Sequence, residues 1–206
     1  DATNALASAV TLSTTGSSAN ATIDNGTTAL DIAASTVGGN LTLTTGHASG
    51  ITDSGNVVVG GNFSATTDDN NGVINAGTLQ QSAGDLLLVT HGTGDATVVN
   101  NAAIDFGTSN VGGNLSATAS AGTITQAGGA LQVAGTSAFT TSTADQAITL
   151  GNTGNALGGT VAFTTGGTTG NVTIDNGTTA LDFAASTISG TLTATGGAAA
   201  GIVDSG

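Results

Sequence analysis

The ten residues TIDNGTTALD at positions 22–31 return at 173–182, and this offset of 151 residues constrains the fold more than any other feature of the chain. Carried outward, it pairs residues 1–55 with 152–206 without a gap, and 32 of those 55 pairs are identical. One full repeat occupies 56–206 and the end part of another occupies 1–55, so residues 1–206 read as a single continuous, uncapped unit. Copies recurring at a fixed period bury their apolar faces against one another and build quasi-one-dimensional stacks. A rod is expected, and an enzyme is not.

A shorter period lies inside the long one. GGNLTLTT begins at Gly38, GGNFSATT at Gly60, GGNLSATA at Gly112, GGTVAFTT at Gly158 and SGTLTATG at Ser189, with weaker members GDLLLVTH at Gly84 and GTSAFTTS at Gly135. From Gly38 to Ser189 these phrases make six steps in 151 residues, which predicts a coil of about 25 residues, in the range of one turn of a β-solenoid. Between the phrases run GITDSG from Gly50, GVINAG from Gly72, NVVVG from Asn56 and ALQVAG from Ala130. Each alternates small polar with aliphatic residues and is bounded by Gly, Asn or Asp, the pattern of short strands joined by tight corners. No stretch sustains helical spacing, and Glu, Lys and Arg are absent, so almost no α-helix is expected.

The expected fold is all-β: a right-handed parallel β-helix with three strand faces and inward residues stacked about 4.8 Å apart. In GGNLTLTT, Leu41 and Leu43 point inward and Thr42 and Thr44 outward. The same alternation turns Phe63 and Ala65, Leu115 and Ala117, Val161 and Phe163, and Leu192 and Ala194 inward. Leu41, Phe63 and Leu115 are expected on one common inner wall. With no cap legible at either end, the rod is expected to pair with itself, through adjacent repeats of one chain or stacked separate chains.

The phrases GGNLTLTT, GTITQAGGALQVAG and GITDSGNVVVGGNFSATT resemble the coils of the filamentous-haemagglutinin-like exoproteins of Gram-negative bacteria. Those proteins are adhesins secreted by a two-partner route. The resemblance implies a long parallel β-helix, secreted or displayed at a bacterial surface, that adheres to surfaces or neighbouring cells. Surface glycans are the implied external partner, and the resemblance supplies no catalytic residue.

Composition narrows the alternatives. The formal charge is −13, with no Lys or Arg, so neutralisation of nucleic-acid or anionic-lipid phosphates is not expected. The longest strongly apolar run, Leu86 to Val89, is far short of the roughly 20 residues of a membrane helix, and no membrane insertion is expected. β-Helix lyases generally use an Arg or Lys base, and the carboxylates here come mostly one per coil, leaving little for paired acid and base work.

No catalytic, cofactor-binding or metal-binding residue is assigned, and no cofactor is expected. His47 and His91 lack metal-ligand spacing, and His47 is matched by Ala198 in the other copy, which reads as a solvated turn. Asp24, Asp53, Asp175 and Asp204 occupy IDNG, ITDSG and IVDSG turns. They are expected as Asx turns, the alternative being a stacked Ca²⁺ column, with Asp68, Asp69, Asn70 and Asn71 the next candidate. Outward pairs such as Thr42 with Thr44 and Thr193 with Thr195 raise ice binding, but Ser64, Ser116 and Ala162 break the array. Asn20, Asn25, Asn40, Asn62, Asn114, Asn171 and Asn176 each begin an NxS or NxT triplet. They are expected as stacked corner residues, the alternative being glycosylation, which some adhesins of the resembling family carry.

Overall fold

A computed structural model describes residues 4–68, 71–197 and 201–206. Among them are 21 strands and no helix, and every ladder is parallel. The strands form two sheets of ten and eleven members. They stack as a β-solenoid of about eight turns with roughly 22 residues per turn. Wall I runs through Ala21–Asp24, Leu41–Thr45, Phe63–Thr67, Leu86–Val89, Ile104–Val111, Ile124–Val133, Ile148–Leu150, Val172–Asp175 and Leu192–Thr195. Wall II runs through Leu30–Ile32, Ile51–Asp53, Ile74–Gln81, Ala96–Asn100, Leu115–Ala119, Ser137–Ala144, Thr160–Gly166, Leu181–Phe183 and Ile202–Asp204.

Alternation follows the sequence. In Leu41–Thr45 and Phe63–Thr67 the first, third and fifth residues are buried and the others half-buried. The core is Leu, Ile, Val and Ala with four neighbouring rings: Phe106 meets Phe139 edge-on at 6.2 Å, Phe139 stacks on Phe163 at 5.7 Å, and Phe163 lies 6.2 Å from Phe183. Leu192 and Ala194 continue the alternation, and Ala194 packs against the core. They lie on the last winding of wall I, where Leu192 is 42% exposed although its copy Leu41 is 0% exposed.

Three expectations are corrected. The strands form two sheets in place of three faces. The coil is shorter than 25 residues, because Leu41 reaches Leu192 in seven turns and not six. Nor do the glycine phrases share one wall. Leu41 pairs with Phe63 and Phe63 with Leu86 on wall I, whereas Leu115 pairs with Ala96 and Ser137 on wall II. The phrase encodes an unbroken strand after a Gly corner, and either wall can take it. It serves wall I up to Leu86, wall II from Leu115 to Val161, and wall I again at Leu192. Each change of wall inserts an extra half-turn, and two half-turns supply the seventh turn of the repeat.

The opposite wall is then broken into two short strands. Wall II is broken early, where Ser35–Val37 and Val57–Val59 pair beside the main path and onto Ile74–Gln81. Wall I is broken in the middle, where the Ile104–Val111 and Ile124–Val133 ladder shifts register and Ala156–Leu157 splits from Ile148–Leu150.

Polar side chains sit where each break begins and ends, buried at Ser35 and Ser109 and exposed at Ser186. At the beginnings, Ser35 Oγ accepts from Leu12 N, Ser109 Oγ from Leu88 N and Ser186 Oγ from Phe163 N, at 2.9, 3.1 and 3.0 Å. Each hydroxyl donates to the carbonyl two residues before it. At the ends, a buried Asn replaces the missing strand. Asn100 Oδ1 accepts from Gln81 N at 2.8 Å and its Nδ2 donates to Gln81 O at 3.0 Å. Asn176 does the same to Leu157, at 2.7 and 3.1 Å, and Asn25 to Leu6, at 2.8 and 3.1 Å. A carboxamide presents the same donor and acceptor as a peptide unit, so it satisfies backbone groups that burial would leave unpaired.

A threonine at or next to the end of three unbroken strands has a related role. Thr67, Thr90 and Thr165 are buried and donate to Gly72 O, Gly94 O and Gly170 O across the following corner, at 2.8, 2.6 and 2.9 Å. Replacing Thr67 by the isosteric Val leaves Gly72 O without that partner, and a loss of about 1–2 kcal/mol is expected in urea melts.

Candidate functional site

Surface chemistry is concentrated at the corners. Asn40 N donates to Asn20 Oδ1, Asn62 N to Asn40 Oδ1 and Asp85 N to Asn62 Oδ1, at 2.8, 2.9 and 3.0 Å. The same ladder runs from Asp95 to Asn114 to Thr136, and from Asn171 to Thr191. Five of the seven triplet asparagines are thus corner residues whose side-chain oxygen holds the next coil. Asn25 and Asn176 are 0% exposed and lie inside, closing the breaks.

The four aspartates do not form one column. Asp24 and Asp175 lie on wall I beside Thr44 and Thr195, and Asp53 and Asp204 lie on wall II opposite Ile32 and Phe183. Asp24 and Asp175 make Asx turns to Gly26 N and Gly177 N at 3.0 and 2.8 Å, and Asp204 a longer one to Gly206 N at 3.3 Å. Asp53 instead reaches the next coil, accepting from Gly77 N and Thr78 N at the break in wall II. Among the described residues no three His, Cys, Asp or Glu side chains gather to hold a metal ion.

Asp69, Asn70 and Ala198 lie outside the described residues. Asn71 holds Thr93 N through its Oδ1. His47 Nδ1 accepts from Ser49 N at 3.0 Å within its own turn. His91 Nδ1 lies 2.5 Å from Thr67 O, which makes it the donor because a carbonyl only accepts. Both histidines serve the backbone.

Asp145, which the sequence did not single out, holds the most heavily bonded carboxylate. Its φ is +62°, and one oxygen accepts from Thr168 N, Thr169 N and Thr169 Oγ1 at 2.7, 2.8 and 3.0 Å. The backbone bonds from Thr168 and Thr169 pull its pKa below the ordinary 3.8. A depressed carboxylate contributes stability above its unfolded pKa and loses it as pH falls through the folded value. The 166–171 corner is therefore expected to loosen only below about pH 4. Asp145→Asn, which keeps the acceptor and tolerates positive φ, should abolish that step in a pH series of amide exchange at Thr168 and Thr169.

The outer faces carry shallow grooves beside the broken walls. One of ≈ 420 Å³ is lined by Thr11, Ser13, Ala34, Thr36, Asn56 and Val58, and another of ≈ 370 Å³ by Asn110, Gln132, Ala156 and Thr179. Neither holds an ionisable side chain. The threonine array is divided between walls. On wall I, Thr42 and Thr44 continue to Ser64 and Thr66 and then meet Leu87 and Val89, while wall II carries a column of Thr118, Thr140, Thr164 and Thr187.

A family profile described as repeats of unknown function (DUF5649) matches residues 18–75, 93–164 and 169–206. The chain belongs to that family. The first and last DUF5649 segments together span both copies of TIDNGTTALD, and the middle one covers the broken part of wall I. No curated protein and no solved structure matches this DUF5649 chain.

Proposed function

We propose that the chain is a non-catalytic, structural and adhesive section of a long repetitive fibre, secreted or displayed at a bacterial surface. The observation carrying this reading is the equivalence of the two copies in one ladder: Ala21–Asp24 supports Leu41–Thr45 in the register in which Val172–Asp175 supports Leu192–Thr195. One repeat passes into another without a change of axis, so length grows by seven turns, or about 34 Å, per copy. The repeat style of the filamentous-haemagglutinin-like exoproteins supports the same reading. Contact with a partner falls to hydroxyls and carboxamides on the outer faces, groups suited to neutral glycans.

The test has two parts. Antibody raised to this chain should label intact producing cells, and beads coated with it should bind host or neighbouring cells in a way that soluble glycans compete. Label confined to lysates, or beads that bind no better than albumin-coated ones, would overturn the reading.

A further inference from the structure

An asparagine followed by glycine is chemically unstable, because the glycine nitrogen, with no side chain beside it, is free to close on the asparagine Cγ and expel the amide. The chain holds three such pairs, Asn25–Gly26, Asn71–Gly72 and Asn176–Gly177. Two of them are held shut. Asn25 and Asn176 are 0% exposed. Asn25 Nδ2 donates to Thr28 O and Ala29 O as well as to Leu6 O, and Asn176 Nδ2 to Ala180 O as well as to Leu157 O. Their would-be attackers are also engaged: Gly26 N donates to Asp24 Oδ1 at 3.0 Å and Gly177 N to Asp175 Oδ1 at 2.8 Å. An amide nitrogen attacks only after giving up its proton, and a carboxylate on that N–H opposes the negative charge that would develop.

The third pair has the opposite surroundings. Asn71 is exposed and sits at a left-handed φ of +59° in the corner between Phe63–Thr67 and Ile74–Gln81. Among the described residues none accepts from Gly72 N, and none accepts from Asn71 Nδ2. The one bond the carboxamide does make favours the reaction: Thr93 N donates to Asn71 Oδ1 at 2.9 Å. That oxygen takes up the negative charge when a nitrogen adds to Cγ, so the Thr93 amide stands where an oxyanion donor would be placed.

We propose that Asn71–Gly72 is a site of spontaneous self-modification in the folded chain. Gly72 N bonds to Asn71 Cγ and the Cγ–Nδ2 bond breaks; the proton lost by Gly72 N ends on the departing nitrogen, which leaves as ammonia. Water then opens the succinimide ring at one carbonyl or the other, restoring the N–H and leaving aspartate or isoaspartate at position 71. Aspartate keeps an acceptor for Thr93 N and adds a negative charge to a corner that already carries Asp68. Isoaspartate inserts a methylene into the backbone of that corner, where Thr67 Oγ1 holds Gly72 O at 2.8 Å. The Asx turns of Asp24 and Asp175 spare the two wall-closing asparagines the same change.

Ageing the full chain in mildly alkaline buffer tests this, with fragmentation mass spectrometry to locate each amide-to-acid conversion and isoaspartyl methyltransferase to label the rearranged product. In the folded chain position 71 should convert on the order of a hundredfold faster than positions 25 and 176, which react only from openings that break their buried bonds. In urea the three should convert at similar rates. Asn71→Gly accepts the left-handed φ and should abolish the folded chain's conversion at this corner, with amide exchange at Leu41–Thr45 reporting that the fold is kept. Position 71 intact in the folded chain, positions 25 and 176 keeping pace with it, the same disparity in urea, or conversion persisting at this corner in Asn71→Gly would each overturn the proposal.

Discussion

Phe139→Ala should be the most damaging apolar substitution in the chain, lowering stability by about 3–5 kcal/mol. Phe139 is fully buried and joins rings from both neighbouring turns, edge-on to Phe106 and stacked on Phe163, so its removal opens a cavity touching three windings. The inner space is closed by backbone ladders on both walls and cannot collapse without breaking them, which places the cost at the upper end of the range. In a quasi-one-dimensional fold the loss should also be local. Urea melts should divide into two transitions, with amides of Ile104–Thr164 exchanging early and those of Leu41–Thr67 late. A single unshifted transition would contradict this.

Asn100→Leu should cost about 3–5 kcal/mol, a loss comparable to that of the ring despite conserved volume. Three bonds disappear together: those with Gln81 N and Gln81 O, and a third at 2.7 Å to Ala103 O. Each buried backbone group left without a partner costs about 1–3 kcal/mol. Asn100→Asp separates this account from simple packing. The carboxylate keeps the size and accepts from Gln81 N, but it cannot donate to the two carbonyls and would bury a charge. It should therefore be worse than Leu at pH 7 and partly recover as pH falls and the carboxyl acquires a proton. If Leu were tolerated, or Asp were pH-independent, the strand-replacing role of Asn100 would be wrong.

Period and alternation made most of the fold readable from sequence. A repeat of 151 residues with short alternating runs leaves stacked parallel strands as the economical solution, and Leu41, Leu43, Phe63 and Ala65 point inward as the pattern requires. Misassignment of Leu115 to the wall of Leu41 has a physical origin. GGNLTLTT and GGNLSATA specify a corner and a straight strand, but carry no mark of the wall to which they belong. That information lies in single buried residues, Ser109 and Asn100 among them, whose letters are common at solvent-facing corners throughout the chain. A copy-by-copy comparison could have raised Asn25 and Asn176, since both stand in the perfectly retained TIDNGTTALD block while neighbouring corners vary. The corner roles of Asn40, Asn62 and Asn114 were legible because an asparagine before a strand recurs with the coil. Asp145 was not, because its partners Thr168 and Thr169 lie a whole turn away.

Interstrand nuclear Overhauser contacts in this 19.2 kDa chain test the central claim, a solenoid whose repeat makes seven turns by exchanging its broken wall. Ala117 should show backbone contacts to Val98 and Phe139, its neighbours on wall II, while Leu43 contacts Ala65 on wall I. Contacts between Ala117 and Leu88, which the glycine phrases alone would align on one wall in six turns, would contradict it.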